Sequence, residues 1–160
     1  MAVTVRKAVK EDIPHIFKLI QELALFEKAP EEVSNTEARM LEDGFGENPI
    51  YTAAVAELEG KIVGMYVWYV RYSTWKGKGL YLEDIIVTEA ARGKGVGKLL
   101  FEACMADAKA INAHFMKWQV LDWNTPAIEF YKKYNAHIDA GWYNASLSRE
   151  QLHGNPLNEF

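Results

Sequence analysis

Leu80-Tyr-Leu-Glu-Asp-Ile-Ile-Val87, followed after Thr88-Glu-Ala-Ala91 by Arg92-Gly-Lys-Gly-Val-Gly97, is the stretch whose reading decides the fold. The first run is apolar and β-branched apart from Glu83 and Asp84, which predicts a strand. Val96, Leu99, Leu100 and Ala103 then recur at the i, i+3, i+4, i+7 spacing of a helix with that face inward. Strand, glycine-rich loop and helix therefore follow one another without a break. Alternating glycines let the backbone approach a ligand closely, and the first N–H groups of the helix have no intrahelical partner. Such a loop suits a phosphate. A turn that only joins strand to helix is the alternative.

The phosphate ligand can be narrowed by elimination. In a Walker loop read back from Gly97-Lys98, the first glycine falls on Arg92 and the hydroxyl position on Leu99, so no ligand for Mg²⁺ is offered. A dinucleotide fingerprint starting at Gly95-Val96-Gly97 would need a small residue where Leu100 stands, and lacks the acidic residue after a second strand. Arg-x-x-Gly-x-Gly after a strand and opening a helix remains.

The composition sets outer limits. A chain of 160 residues, 49% of them hydrophobic, is long enough for one domain with a real core. No apolar run approaches the ~18 residues of a membrane span, and MAVTVRKAVKED has no hydrophobic signal region, so a cytoplasmic protein without membrane association is expected. A net charge of -4 argues against nucleic acid and permits a cationic substrate. The single cysteine, Cys104, reads as core filling on the helix. His15, His114, His137 and His153 lack ligand spacing, so no metal is expected.

Working outward, Val3 to Val9 alternates as a strand, and Asp12 with Pro14 starts a helix whose face is Ile13, Ile16, Phe17, Ile20 and Leu23, ending near Phe26 to Pro30. Ser34-x-x-Glu37 predicts a capping box for a shorter helix that finishes before Gly44-Phe45-Gly46. Ile50 to Leu58 and Lys61 to Tyr72 form strands joined at Glu59-Gly60, and Ser73 to Gly79 reads as a loop before the central strand. His114 to Asp122 predicts a fifth strand. Asn124-Thr125-Pro126 opens a helix carrying Ile128, Phe130, Tyr131 and Tyr134, and His137 to Leu147 reads as short strands. The order predicts a single α/β domain over 1–160, with a mixed, mostly antiparallel central sheet flanked by helices.

In this order, and in its Arg92-to-Gly97 loop, the chain resembles the GNAT N-acetyltransferases. Glu42-Asp-Gly-Phe-Gly-Glu-Asn-Pro49, Tyr81-Leu-Glu-Asp84, and Trp123-Asn124 followed by Phe130-Tyr131-Lys132 resemble the diamine (spermidine/spermine) acetyltransferases. Tyr72-Ser-Thr-Trp-Lys-Gly77 and Val120-Leu-Asp-Trp-Asn124 resemble most the branch that acetylates thialysine. The resemblance implies the GNAT fold, acetyl-CoA as acyl donor, a small-molecule amine as acceptor and a homodimer. It assigns the coenzyme to Ile85, Ile86, Val87, Arg92, Gly93, Lys94, Gly95, Val96, Gly97 and Lys98, and to Asn124, Thr125, Pro126 and Ala127. Phe26, Glu27, Glu83, Lys117, Trp118 and Gln119 would line the amine site, with Trp75 and Trp142 closing it. Ser73 and Ala140 stand where polyamine-specific members carry acids, which implies a short diamine or a lysine-like amino acid. Asn135 replaces the glycine usual after the last main helix, and tolerates the same left-handed turn.

The chemistry sets its own demands. A primary alkylammonium with a pKa of about 10.4 is only about one part in 10³ neutral at pH 7, so freeing the amine costs roughly 4 to 5 kcal/mol unless the site assists. A carboxylate beside the coenzyme would attract the ammonium and take its proton. Glu83 and Asp84 are the candidates; adjacent on a strand, they point to opposite faces, and only one can readily face a given cleft. The resemblance selects Glu83. A neutral tyrosine on the helix from Asn124 could protonate the departing thiolate. The resemblance selects Tyr131 over Tyr134, and a main-chain N–H from Ile85 to Val87 for the thioester oxygen. A protein lysine or N-terminal acetyltransferase, a non-catalytic coenzyme- or amine-binding module and a structural interaction domain are the competing readings.

Overall fold

The computed structural model describes residues 2–154. Two compact units divide between Leu121 and Asp122. The first contains Val3–Lys7 (β1), Ile13–Phe26 (α1), Glu37–Phe45 (α2), Thr52–Leu58 (β2), Lys61–Ser73 (β3), Gly77–Val87 (β4), Val96–Ala110 (α3) and Met116–Lys117 (β5). The strands lie in the order β1-β2-β3-β4-β5, antiparallel from β1 to β4 and parallel between β4 and β5. This is the mixed, mostly antiparallel sheet that the element order predicts.

Strand alternation sends Val55, Met65, Val67 and Ile86 to one face, where Ile13, Ile16 and Leu19 of α1 and Met40 of α2 close over them. α3 packs on the other face, held partly by polar contacts. The Asp107 carboxylate accepts from the Tyr66 hydroxyl at 2.8 Å and from Trp68 Nε1 at 2.9 Å. Cys104 is fully buried, and burial, with Asp107 nearby, pushes its thiol up to about 12, so it remains a neutral packing group. At the sheet edge Arg6 donates to Asp12 at 2.7 and 3.0 Å and to Glu57 at 2.6 Å, joining β1, β2 and the approach to α1. Those bonds hold the Asp12 carboxyl below its ordinary range.

Several local expectations are corrected. The inward stripe of α3 is Val96, Leu100, Phe101, Cys104 and Ala108, which leaves Leu99 at its margin, 41% exposed. Thr36, not Ser34, caps α2, accepting from the Arg39 N–H at 3.2 Å, and the helix continues through Gly44 to Phe45. Asp12 ends a short 3-10 turn and spends its carboxylate on Arg6 and the Val9 N–H rather than on capping α1. The expected loop from Ser73 to Gly79 is a tight hairpin in which Ser73 Oγ accepts from the N–H groups of Trp75 and Lys76 at 3.2 and 3.1 Å. The fifth strand shrinks to Met116–Lys117, since the parallel pairing with β4 covers only Leu80 and Tyr81.

The second unit contains Thr125–Lys132 (α4) and Arg149–His153 (α5). Asn124 Oδ1 accepts from the Ala127 N–H at 3.4 Å, with Pro126 in the first turn, as the sequence predicts. Asn135 takes a positive φ of 55°, the left-handed turn expected of it. Residues 137–147 form no strand: alternation without a hydrogen-bonding neighbour does not make one. Among the described residues no helix is long and apolar enough to cross a membrane.

Candidate active site

The centre of the first unit's site is an irregularity in β4. Pairing with β3 runs from Tyr69↔Tyr81 and Trp68↔Leu82 directly to Val67↔Asp84, leaving Glu83 without an opposite residue. Glu83 is the extra residue of a β-bulge. The bulge breaks the period of two, so the expectation that Glu83 and Asp84 point to opposite faces is overturned. Asp84 lies opposite Val67, on the α1 face, and interacts with Glu27 at the end of α1. Glu83 turns to the same side, where the Tyr69 hydroxyl donates to its Oε2 at 3.0 Å. Tyr69 in turn lies against Tyr81, ring centroids 5.3 Å apart, and Arg71 covers Tyr81 at 5.2 Å.

Two adjacent carboxylates on one face repel, and the more buried one yields. Burial first, then the charges of Glu83 and Glu27, push Asp84 up to about 6. Burial also raises Glu27 above its ordinary value. The Tyr69 hydroxyl is pushed up to about 12 by burial and by its bond to Glu83, so it stays a donor at neutral pH.

Beyond Tyr81 the sheet opens. β5 is paired with β4 only at Leu80 and Tyr81, whereas β3 accompanies β4 to Val87. Ile85, Ile86 and Val87 thus have one main-chain edge in the ladder and the other outside it. The chain passes through a 3-10 turn, Glu89–Ala91, into the glycine loop. Gly93 and Gly95 have φ of 74° and 80°, and a Cβ at either would meet no atom within 4 Å, so conformation and not packing calls for glycine there. Gly95 is the N-cap of α3 and provides no side-chain cap, which leaves the first N–H groups of the helix for a ligand. Lys94 and Lys98 are exposed alongside, Lys98 lying 3.9 Å from Glu102. These features fit a diphosphate. The Arg92 side chain turns back, donating from Nε to the Val87 carbonyl at 3.0 Å, with its guanidinium 5.0 Å from the Phe26 ring centroid.

The other expected site residues fall as follows. Lys117 and Gln119 are exposed on and just after β5, while the Trp118 ring stands edge-on to Phe101 at 5.3 Å. Trp75 sits in the β3–β4 turn, 89% exposed. In the second unit Asn124 to Ala127 form the first turn of α4; Tyr131 is buried with its ring 5.4 Å from Phe130, and Trp142 is exposed. Tyr69, the hydroxyl that holds Glu83, was missed. Its only signal was the density of aromatics in β3.

A mixed sheet that parts beside its fourth strand, followed by a glycine cradle at a helix N-terminus, can seat a diphosphate-bearing coenzyme next to a pair of carboxylates. The chain belongs to the Acetyltransferase (GNAT) family, whose model matches residues 15–136. It is similar to the thialysine N-epsilon-acetyltransferase of Bos taurus, 38% identical over 142 residues covering 84% of each chain. The protein of that name from Mus musculus is 38% identical over 159 residues, 92% of this chain and 94% of that one. Among solved structures, an integron cassette protein from the mobile metagenome of V. cholerae aligns with a TM-score of 0.75 at 20% identity, covering 95% of this chain and 96% of that one, a likeness of fold.

Proposed function

We propose that this enzyme transfers the acetyl group of acetyl-CoA to the primary amine of a lysine-like amino acid or short diamine, of the thialysine type, by direct attack in a ternary complex. The observation that carries the reading is the bulge at Glu83, which sets two carboxylates of one strand on one face, just before the half-unpaired segment Ile85 to Val87. The names borne by the cattle and mouse relatives support the acceptor class. One acetyltransferase domain over 1–160 is part of the reading, supported by a family match that runs across the boundary between the two units. So are a cytoplasmic homodimer and the absence of nucleic-acid, membrane and metal partners; these rest on the resemblance, composition and charge.

In this mechanism the diphosphate rests on the N–H groups from Gly93 to Lys98, and the pantetheine arm pairs with Ile85 to Val87. The substrate ammonium gives one proton to the Glu83/Asp84 pair. Within that pair Asp84, raised from 3.8 to about 6, narrows the uphill transfer by about 3 kcal/mol. The freed amine attacks the thioester carbonyl, forming the C–N bond while a β4 N–H meets the oxygen that gains charge. As the C–S bond breaks, Tyr131 donates its proton to the leaving sulfur and recovers one from the nitrogen. Amide, free thiol and one proton for solvent result.

Two measurements check this reading. With acetyl-CoA, turnover across thialysine, lysine, short diamines, spermidine and spermine should favour the first three groups, because Ser73 and Ala140 supply no carboxylate for further ammonium groups; equal or better use of spermine contradicts this. Gly95→Ala forces a side chain into the left-handed region at a cost of about 1–2 kcal/mol, and should weaken acetyl-CoA binding about tenfold by calorimetry. Unchanged affinity would remove the loop from the coenzyme site.

A further inference from the structure

Two side chains of α1 reach the chain on either side of the 3-10 turn that leads into the glycine loop. The Thr88 hydroxyl is shared between the two carboxylate oxygens of Glu22 at 2.9 and 3.1 Å, and the Glu89 N–H donates to Glu22 Oε1 at 3.2 Å. Phe26 follows Glu22 at i+4, on the same side of the helix. Its ring faces the Arg92 guanidinium at 5.0 Å, and Arg92 Nε is fixed on the Val87 carbonyl. The helix is therefore joined to the coenzyme segment at residues 88–89 and again at residue 92, and the loop from Gly93 to Gly97 starts immediately after the second contact.

Neither contact belongs to the frame of the fold. The β3–β4 register ends at Gly64↔Val87 with one further main-chain bond, from the Thr88 N–H to the Val63 carbonyl at 2.8 Å, and the buried stripe of α1 is Ile13, Ile16 and Leu19, with Glu22 half-buried and Phe26 38% exposed. Together with the Thr88 N–H bond to Val63 and the buried Ala91 of the 3-10 turn, the two contacts fix the direction in which the chain leaves β4. That direction aims the N–H groups from Gly93 to Lys98.

We propose that Glu22 and Phe26 are positioning residues for the acyl coenzyme, holding the phosphate loop in register with the Val87 end of β4. The assignment rests on the proposed seating of acetyl-CoA, and it gives Phe26 a role on the coenzyme side besides the amine-lining one implied by resemblance. A loop held from α1 presents its N–H groups already aligned, and the affinity gained is the ordering that binding no longer has to supply.

The test is calorimetric titration of acetyl-CoA into the full chain without amine, which isolates the coenzyme, with thermal melts as a check on folding. Glu22→Ala should raise Kd about tenfold, and Glu22→Gln, which keeps an oxygen to accept from Thr88 or Glu89, should recover most of the loss. Phe26→Ala should raise Kd about two- to fivefold, and Phe26→Trp, which restores a face for the cation, should return it to the wild-type range. In steady state Glu22→Ala should raise the KM for acetyl-CoA far more than it lowers kcat. Should Glu22→Ala unfold, Thr88→Val removes the same bond from the other side and should weaken binding about threefold. Wild-type affinity in Glu22→Ala, or in Thr88→Val if that replaces it, overturns the assignment while leaving the proposed function standing. Absence of binding heat in the wild type overturns both.

Discussion

Replacing Glu83 by glutamine should lower kcat with a thialysine-type acceptor by about 10²- to 10³-fold, the range expected when a group that accepts the reacting proton is lost. Asp84→Asn should lower it by about tenfold or more, because the two carboxylates lie on one face and the proposed mechanism gives them one task. The pH profile separates the pair from a merely structural role. The carboxylate acts in its deprotonated form, so kcat/KM should fall as the pH drops through about 6, where Asp84 takes up a proton. The Glu83 charge is among the causes of that raised value; the acid limb should therefore move to lower pH in Glu83→Gln and vanish near 6 in Asp84→Asn. A limb that stays in place in both variants would take Asp84 out of the proton path.

The second large effect belongs to Tyr131. Tyr131→Phe should reduce kcat about 100-fold while changing KM for either substrate little, since in the proposed mechanism the hydroxyl acts when the thiolate leaves and not when the substrates bind. Tyr134 lies in the turn just after α4, with its ring 5.5 Å from Phe130. Tyr134→Phe should stay within about twofold of wild type. Steady-state kinetics on the two variants decide the matter: equal losses, or none in Tyr131→Phe, void the assignment of the acid.

Much of this was legible in the chain because its decisive parts are contiguous. β4, the glycine loop and α3 lie within one run from Gly77 to Ala110, and each is specified by its own periodicity or by glycines that need positive φ. What stayed hidden depends on pairing. The bulge at Glu83 is a property of the register with β3, and no pattern within β4 announces it. The bond from Tyr69 to Glu83 joins residues 14 apart, and that from Thr88 to Glu22 joins residues 66 apart, so both require the folded sheet. Local chemistry also misled where two solutions were equally good: Ser34 and Thr36 both offer a hydroxyl before α2, and only the geometry of the Arg39 N–H selects Thr36. Residues 137–147 alternate like a strand and form none, because alternation describes which faces a strand would have and not whether a partner exists.

The most direct test of the account is a crystal structure of the protein with acetyl-CoA. The diphosphate oxygens should lie about 2.7–3.2 Å from main-chain nitrogens between Gly93 and Lys98, with the pantetheine arm along Ile85 to Val87 and the acetyl group on the side of Glu83. A coenzyme bound elsewhere, with the N–H groups of that loop engaged by the protein itself, would contradict it.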